Sequence, residues 1–273
     1  MSTWGYGTKN GPATWAQQFP LGSGSRQSPI NIETKTTASD RKIDAEPLSI
    51  SYEPDQAQPL TNTGYGWRVD FDSGRSSIRG GPLEGEYQLA QYHCHWGREN
   101  ERGSEHTVDG RRYAAELHLV HFNKKYGTFA AAADKEDGLA VIGVFLDVGE
   151  ENAELKKVTD NMAKVRFSGS KVDIPATDPD LFLPDTTRYW TYEGSLTTPP
   201  LYESVTWILF SEPVTISQDQ LDQFRYLLRR PTEQPGEDSD EEDDGAIVDN
   251  FRPPLEVGSR TVRSAAKSLR SRQ

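Results

Sequence analysis

Tyr92-His93-Cys94-His95-Trp96, answered downstream by Glu116-Leu117-His118-Leu119-Val120-His121-Phe122, is the part of this chain from which the rest can be read. On a β-strand, side chains two residues apart share a face. His93 and His95 can therefore meet one ion while Cys94 points away. The second stretch is apolar, and a histidine buried in it needs a partner. If the two strands are neighbours, His118 completes a three-nitrogen site with an open fourth position, the arrangement of a catalytic rather than a structural zinc site. Gln91 has the parity of His93 and Glu116 that of His118, so each can hold its histidine's tautomer. Two other readings stand beside this one. A His-x-His pair also fits an exposed strand face, and Cys94 could be a fourth ligand, although parity makes it a small buried core residue.

The 273 residues suffice for one large domain or two average ones. Only 34% are hydrophobic, but six Trp, eleven Tyr and ten Phe supply bulk for a sizeable core. A formal charge of −12 argues against a general binder of nucleic acid or anionic membranes. No stretch approaches the roughly 20 apolar residues of a membrane span. The start, Met1-Ser2-Thr3-Trp4, has neither the basic nor the apolar region of a signal peptide. A single cysteine forbids an intrachain disulfide. These features predict a cytoplasmic protein, with a processed chain that has lost its leader as the alternative.

Short apolar or aromatic runs bounded by turn residues recur at 48–52, 67–71, 87–96, 114–122, 139–148 and 204–210, and they read as strands. Helical periodicity is confined to short pieces, such as 151–165 and 218–228, the latter with Ser217 as N-cap. The expectation is a β-dominated α+β protein built on one extended sheet. Residues 233–244 hold eight acidic and no basic residues, and 259–273 hold five basic and no acidic ones. The acidic block reads as a solvated loop. Calcium binding is its functional alternative, but the spacing lacks the glycine turn of an EF-hand.

The motifs, taken together, resemble the α-class carbonic anhydrases, of the cytosolic, animal-like type. The likeness runs through Trp4-Gly5-Tyr6-Gly7, Arg26-Gln27-Ser28-Pro29-Ile30-Asn31-Ile32 and Gly80-Gly81-Pro82-Leu83. It continues through His93-Cys94-His95-Trp96-Gly97, Gly103-Ser104-Glu105-His106-Thr107-Val108-Asp109 and 114–121. It ends with Tyr189-Trp190-Thr191-Tyr192, Gly194-Ser195-Leu196-Thr197-Thr198-Pro199-Pro200 and Asn250-Phe251-Arg252-Pro253. So many motifs in one order exclude chance. This family is itself the standard instance of a three-histidine catalytic zinc site, so that generalisation adds no independent support.

The resemblance implies a large, mostly antiparallel twisted sheet with short peripheral helices in a single domain, residues 1–258, with 233–244 as a loop insertion and 259–273 as a basic tail. It also implies a C-terminal segment threaded into a shallow knot, a rare exception among folds. The implied activity is reversible hydration of CO2 to bicarbonate and a proton by zinc-bound hydroxide. His93, His95 and His118 would hold zinc, steadied by Gln91, Glu116 and the Asn250 backbone. Thr197 would donate to Glu105 and accept from the hydroxide. Val120, Val141, Leu196, Val205 and Trp207 would form an apolar wall for CO2, with ordinary sheet core as the alternative for Val141 and Val205. Thr197 and Thr198 would meet the anionic product, and Tyr6, Asn62, Tyr65, Arg68 and Gln91 the polar side. Sulfonamides and small anions would inhibit. No nucleic acid, membrane span or oligomer is implied.

Two positions depart from the family pattern. Its fastest members carry a cavity histidine where Tyr65 stands in Asn62-Thr63-Gly64-Tyr65-Gly66. The ordinary histidine pKa lies near 6.5 and that of tyrosine near 10, so Tyr65 is a poor proton carrier at neutrality. His106 and His121 match structural positions, which leaves no histidine as a shuttle. Arg68 puts a fixed charge where a small polar residue is common. Two rival readings differ in class: a catalytically silent relative used for partner recognition, and a carrier for an acidic calcium- or mineral-binding loop.

Overall fold

The computed structural model describes residues 4–54, 58–71, 74–232 and 245–265. The acidic block 233–244 and the tail beyond 265 lie outside them. Fifteen strands are described, and the longest coincide with the most apolar runs. They are β1 (Asn31–Ile32), β2 (Ala38–Ser39), β3 (Ser49–Ser51), β4 (Gln58–Asn62), β5 (Trp67–Asp70), β6 (Ser77–Arg79) and β7 (Glu86–Trp96). There follow β8 (Thr107–Val108), β9 (Ala115–Asn123), β10 (Leu139–Val148), β11 (Lys171–Ile174), β12 (Tyr189–Gly194), β13 (Val205–Phe210), β14 (Val214–Ile216) and β15 (Arg263–Ser264). Thirteen of them form one sheet, whose spine runs β11-β4-β5-β7-β9-β10-β13-β12-β15-β2. Most pairs are antiparallel, as expected, but β10 runs parallel to both β13 and β14, and β15 runs parallel to β2. The C-terminal β15 is flanked on both sides, by β12 and by the N-terminal β2.

The central strands are covered on both faces, so alternation gives way to continuous burial. All nine residues of β9 and the first eight of β10 are buried. Parity sorts their side chains into two cores. Cys94, Leu117, Ile142 and Ile208 belong to the larger, and Val120, Val141, Val205 and Trp207 to the smaller, on the face that carries His93 and His118. Helix α1 (Trp15–Gln18), α2 (Arg41–Ala45), α3 (Phe129–Ala132), α4 (Ala153–Thr159) and α5 (Gln218–Arg225) are short and peripheral. The region 151–165 divides into α4 and a 3-10 turn, Met162–Val165. Helix α5 starts where Ser217 predicts, with a full capping box to Gln220. Its Phe224 packs against Trp67 and Trp96, at 5.2 and 5.3 Å between ring centroids, which braces β5 and β7 from behind.

A bulge in β7 sets the direction of the histidines. Leu89 pairs with His121 and Gln91 with Val120, so Ala90 is the extra residue. Before it Tyr87 and Leu89 face the larger core; after it Tyr92, Cys94 and Trp96 do. The switch of phase turns Gln91, His93 and His95 to the opposite face.

His121 faces the larger core, where it meets Tyr52 Oη at 2.8 Å and the Ala140 carbonyl at 3.2 Å. Burial pushes its pKa down to about 3. The unfolded chain therefore binds a proton that the folded one refuses between about 6.5 and 3. Stability is complete above that window and falls as pH drops through it, by about 1.4 kcal/mol per unit for this group. Urea unfolding of wild type and His121→Phe in one zinc state will give the variant the shallower slope between pH 6.5 and 5. Equal slopes would remove His121 from the account.

Candidate metal centre

His93 and His118 are direct partners across β7 and β9, and His95 lies two pairs further along, opposite Glu116. Local pairing alone therefore assembles the three histidines. Their ring nitrogens lie within 4.8 Å of one another, and all three side chains are held from behind. His93 Nδ1 donates to Gln91 Oε1 at 2.8 Å, His95 Nδ1 to the Asn250 carbonyl at 2.7 Å, and His118 Nε2 to Glu116 Oε1 at 2.7 Å. A carbonyl or carboxylate oxygen can only accept, so each proton is assigned to the far side of its ring.

The near sides, His93 Nε2, His95 Nε2 and His118 Nδ1, are then three lone pairs turned toward one point. His93 Nε2 and His95 Nε2 stand 3.2 Å apart, and Glu105 Oε2 is 3.4 Å from His95 Nε2. Acceptors crowded this closely repel unless a cation lies among them. A tetrahedral zinc with bonds of about 2.0 Å sets its nitrogens about 3.3 Å apart, close to the observed separation. Burial, then the neighbouring imidazoles, hold His93 well below the ordinary histidine pKa, and burial also lowers His95. Neutral nitrogen donors in this set fit zinc.

Glu116 is the hub behind the ligands. Its Oε1 accepts from His118 and from His106 Nδ1 at 2.7 Å, and its Oε2 accepts from the backbone N–H of Glu105 and His106 at 2.9 and 2.8 Å. Burial opposes its ionisation, but the fields and hydrogen bonds of His106 and His118 outweigh burial and keep the carboxyl far below its usual range. Asn250 binds three segments: its carbonyl takes His95, its Oδ1 accepts from Trp96 N at 2.8 Å, and its Nδ2 donates to the Tyr65 carbonyl at 2.8 Å. Its side chain is thus as important as the backbone group expected from the sequence.

Glu105 is fully buried, with Oε1 accepting from Arg252 N at 2.8 Å. Its Oε2 is buried without a hydrogen-bond partner among the described residues. Thr197, 5% exposed, sits in a loop closed by Leu196 N to the Tyr202 carbonyl and Leu201 N to the Thr198 carbonyl. Leu196 and Thr198 are half-buried in the same loop. Val120, Val141 and Trp207 occur side by side in register across β9, β10 and β13, and Gln91 extends the row on β7. Val205 belongs to the same apolar cluster, and Leu196 packs against it. Cys94 lies in the opposite core, 2% exposed, so parity was right to deny it a ligand role.

Tyr65 is half-buried, its ring stacked on Trp4 with centroids 3.9 Å apart and planes at 5°. Burial pushes its hydroxyl above the ordinary tyrosine value. Asn62 does not belong to the polar side as expected. It is fully buried, and its amide donates to the carbonyls of Arg166 and Leu228, so it ties loops together. Gly143 was missed: it pairs with His118, and a Cβ there would come within 2.5 Å of Leu209 Cδ2 and 3.3 Å of Glu116 Oε1. A lone glycine inside an apolar strand run was its signal. His106 and the Arg252 backbone, which grip Glu116 and Glu105, carry no spacing signal.

A family model described as eukaryotic-type carbonic anhydrase matches residues 10–266. Carbonic anhydrase 7 of Homo sapiens is 45% identical over 268 residues, which cover 97% of this chain and 98% of that protein. Carbonic anhydrase 7 of Mus musculus is 45% identical over 265 residues, covering 96% and 97% respectively.

Proposed function

Since the chain belongs to the eukaryotic-type carbonic anhydrase family, enzymes that hydrate CO2 reversibly at zinc, we propose that His93, His95 and His118 hold its metal and that Thr197 and Glu105 orient its reaction. The observation that carries this assignment is the convergence of three lone pairs whose tautomers are set from behind. Zinc bound there supplies an ionised water near neutral pH, a generalisation drawn from this family. Every other part of the reaction falls to the protein. Glu105 Oε2, without a hydrogen-bond partner among the described residues, is left as the acceptor for a hydrogen bond from the Thr197 hydroxyl. Thr197 Oγ would then be left as an acceptor toward the open side of the cluster, where it would orient the nucleophile that bound zinc supplies.

The row Val120, Val141 and Trp207, with Leu196 and Val205, supports an apolar berth for CO2 beside the histidines. The Thr197 N–H and Thr198 take the bicarbonate formed. A silent recognition role would suit a chain that had lost a ligand or its orienting pair, and this one keeps all of them. No helix among the described residues is long and apolar enough to cross a membrane. The single cysteine supports a cytoplasmic setting.

Aromatic sulfonamides fit the same site, with the ionised nitrogen on zinc and the ring against Leu196 and Val120. Zinc-loaded protein will bind benzenesulfonamide at micromolar concentration or below, measured by calorimetry. Zinc-loaded protein that does not bind would contradict the open fourth position.

The proton must leave through a cavity without a titrating histidine. Tyr65, pushed up by burial and stacked on Trp4, stays protonated at neutrality, so dissolved buffer carries the load. Turnover will rise with buffer concentration, and Tyr65→His will raise it several-fold at low buffer with kcat/KM for CO2 nearly unchanged. The two parameters separate because only kcat includes proton export. A buffer-independent wild type together with an inert Tyr65→His would sink this proposal.

A further inference from the structure

A cavity of ≈670 Å³ adjoins the metal centre, and Gln91, which holds His93, forms part of its wall. Its charged lining residues are Arg68, Lys171 and Asp70. Lys171 pairs with Thr61, Thr61 with Arg68, and Arg68 with His93, so one cross-strand row leads from Lys171 to the metal ligand. Adjacent strands lie about 4.8 Å apart, which puts Arg68 one strand and Lys171 three strands from His93. Asp70 is engaged with Arg68, Oδ1 to Nε at 2.7 Å and Oδ2 to Nη2 at 3.3 Å. That pair fixes the guanidinium and turns the carboxylate toward it. Three of the five guanidinium N–H groups remain for another acceptor. Lys171 is exposed and has no ion-pair partner among the described residues. The cavity mouth is thus net positive on a chain of formal charge −12.

We propose that this mouth is a docking site for a phosphate dianion, free or as a phosphomonoester, and that the docked dianion is the preferred proton acceptor of the reaction. Arginine and lysine together are suited to phosphate, arginine by its fork and lysine as a point charge. Phosphate ionises a second time near neutrality, so the dianion can take the proton that Tyr65 cannot pass on. The step balances: water and CO2 give bicarbonate and a proton, and the proton forms one O–H bond on the dianion, which leaves as the monoanion. The repulsion of Asp70 is offset because its carboxylate already faces Arg68. Phe122 and Phe129 on the same wall leave an apolar surface for an organic ester. A neutral imidazole gains nothing from these charges, and its protonated form is repelled.

The inference rests on the reading that proton export limits turnover, and one experiment separates the two. Stopped-flow turnover of the zinc enzyme is measured against increasing hydrogen phosphate, phenyl phosphate and an imidazole buffer of similar pKa, at one pH and ionic strength. Half-maximal activation by phosphate at a concentration at least about fivefold below that of the imidazole supports the site, the scale of a few screened charge contacts. In the double variant Arg68→Gln, Lys171→Gln the two buffers will converge to within about twofold. A lower half-maximal concentration for phenyl phosphate than for free phosphate assigns the apolar wall to an ester; equality assigns the site to free phosphate. Equal activation by phosphate and imidazole in wild type, or a phosphate preference that survives in the double variant, overturns the site alone. No dependence on any buffer overturns both the site's role and the reading beneath it.

Discussion

The His118→Ala protein will hold only a trace of zinc and will hydrate CO2 at least about 100-fold more slowly than wild type, because removal of a direct ligand exceeds the 10–100-fold cost of losing a group behind one. His118 is the only one of the three ligands to turn its Nδ1 toward the cluster, since Glu116 holds its Nε2. It is also the ligand supplied by the second strand, so nothing on β7 can replace it. The variant should fold, because Glu116 keeps its three other donors and one of the acceptors beside Glu105 Oε2 is removed. Metal content and stopped-flow rate on the same sample decide the matter. Stoichiometric zinc with an unchanged rate would remove His118 from the site.

Glu116→Ala will cost more stability than any other single change near the metal. The carboxylate satisfies four buried donors: His118 Nε2, His106 Nδ1, and the backbone N–H groups of Glu105 and His106. Glu116 itself is fully buried, so water does not reach the donors it would abandon. Loss of such a partner costs about 3–5 kcal/mol, which lowers Tm by about 10 °C in a domain of this size. Zinc affinity will fall by about 10–100-fold because His118 loses the partner that fixes its tautomer. Glu116→Gln, which keeps an acceptor oxygen, will lie between wild type and alanine in both measurements. Unchanged Tm and zinc affinity in the alanine variant would refute the hub role.

The histidine cluster was legible because its geometry is local. A two-residue spacing on a strand sets the face, and a second apolar strand with a histidine of matching parity supplies the third nitrogen. Gln91 and Glu116 follow from that same parity. The long strands at 114–122 and 139–148 were legible because burial on both faces produces long, largely apolar runs, and the one at 87–96 because its apolar residues alternate. The short strands were not. Gln58–Asn62 contains Pro59, and Lys171–Ile174 is flanked by polar turns, so neither has a pattern long enough to read.

Three features depend on contacts between distant segments and carry no spacing signal. Asn250 reaches back to Tyr65 and Trp96, Arg252 N to Glu105, and β15 inserts between β12 and β2. The bulge at Ala90 was readable in principle, since the apolar phase changes from Tyr87 and Leu89 to Tyr92 and Cys94. Parity counted within 91–95 was unaffected by it, because the slip falls just before that stretch. Asn62 was misplaced because its motif was read as cavity wall, while its own side chain donates to the carbonyls of Arg166 and Leu228.

On the proposed assignment, neutral imidazoles from two paired strands hold one zinc with its fourth position open, and hydration depends on it. Stopped-flow CO2 hydration on protein stripped by a chelator and then titrated with zinc tests this most directly. The stripped protein should be inactive, and the rate should return linearly and stop rising at about one zinc per chain, with His93→Ala, His95→Ala and His118→Ala each failing to recover. Stripped protein that hydrates CO2 at the original rate, or full recovery in any of those three variants, would contradict the account.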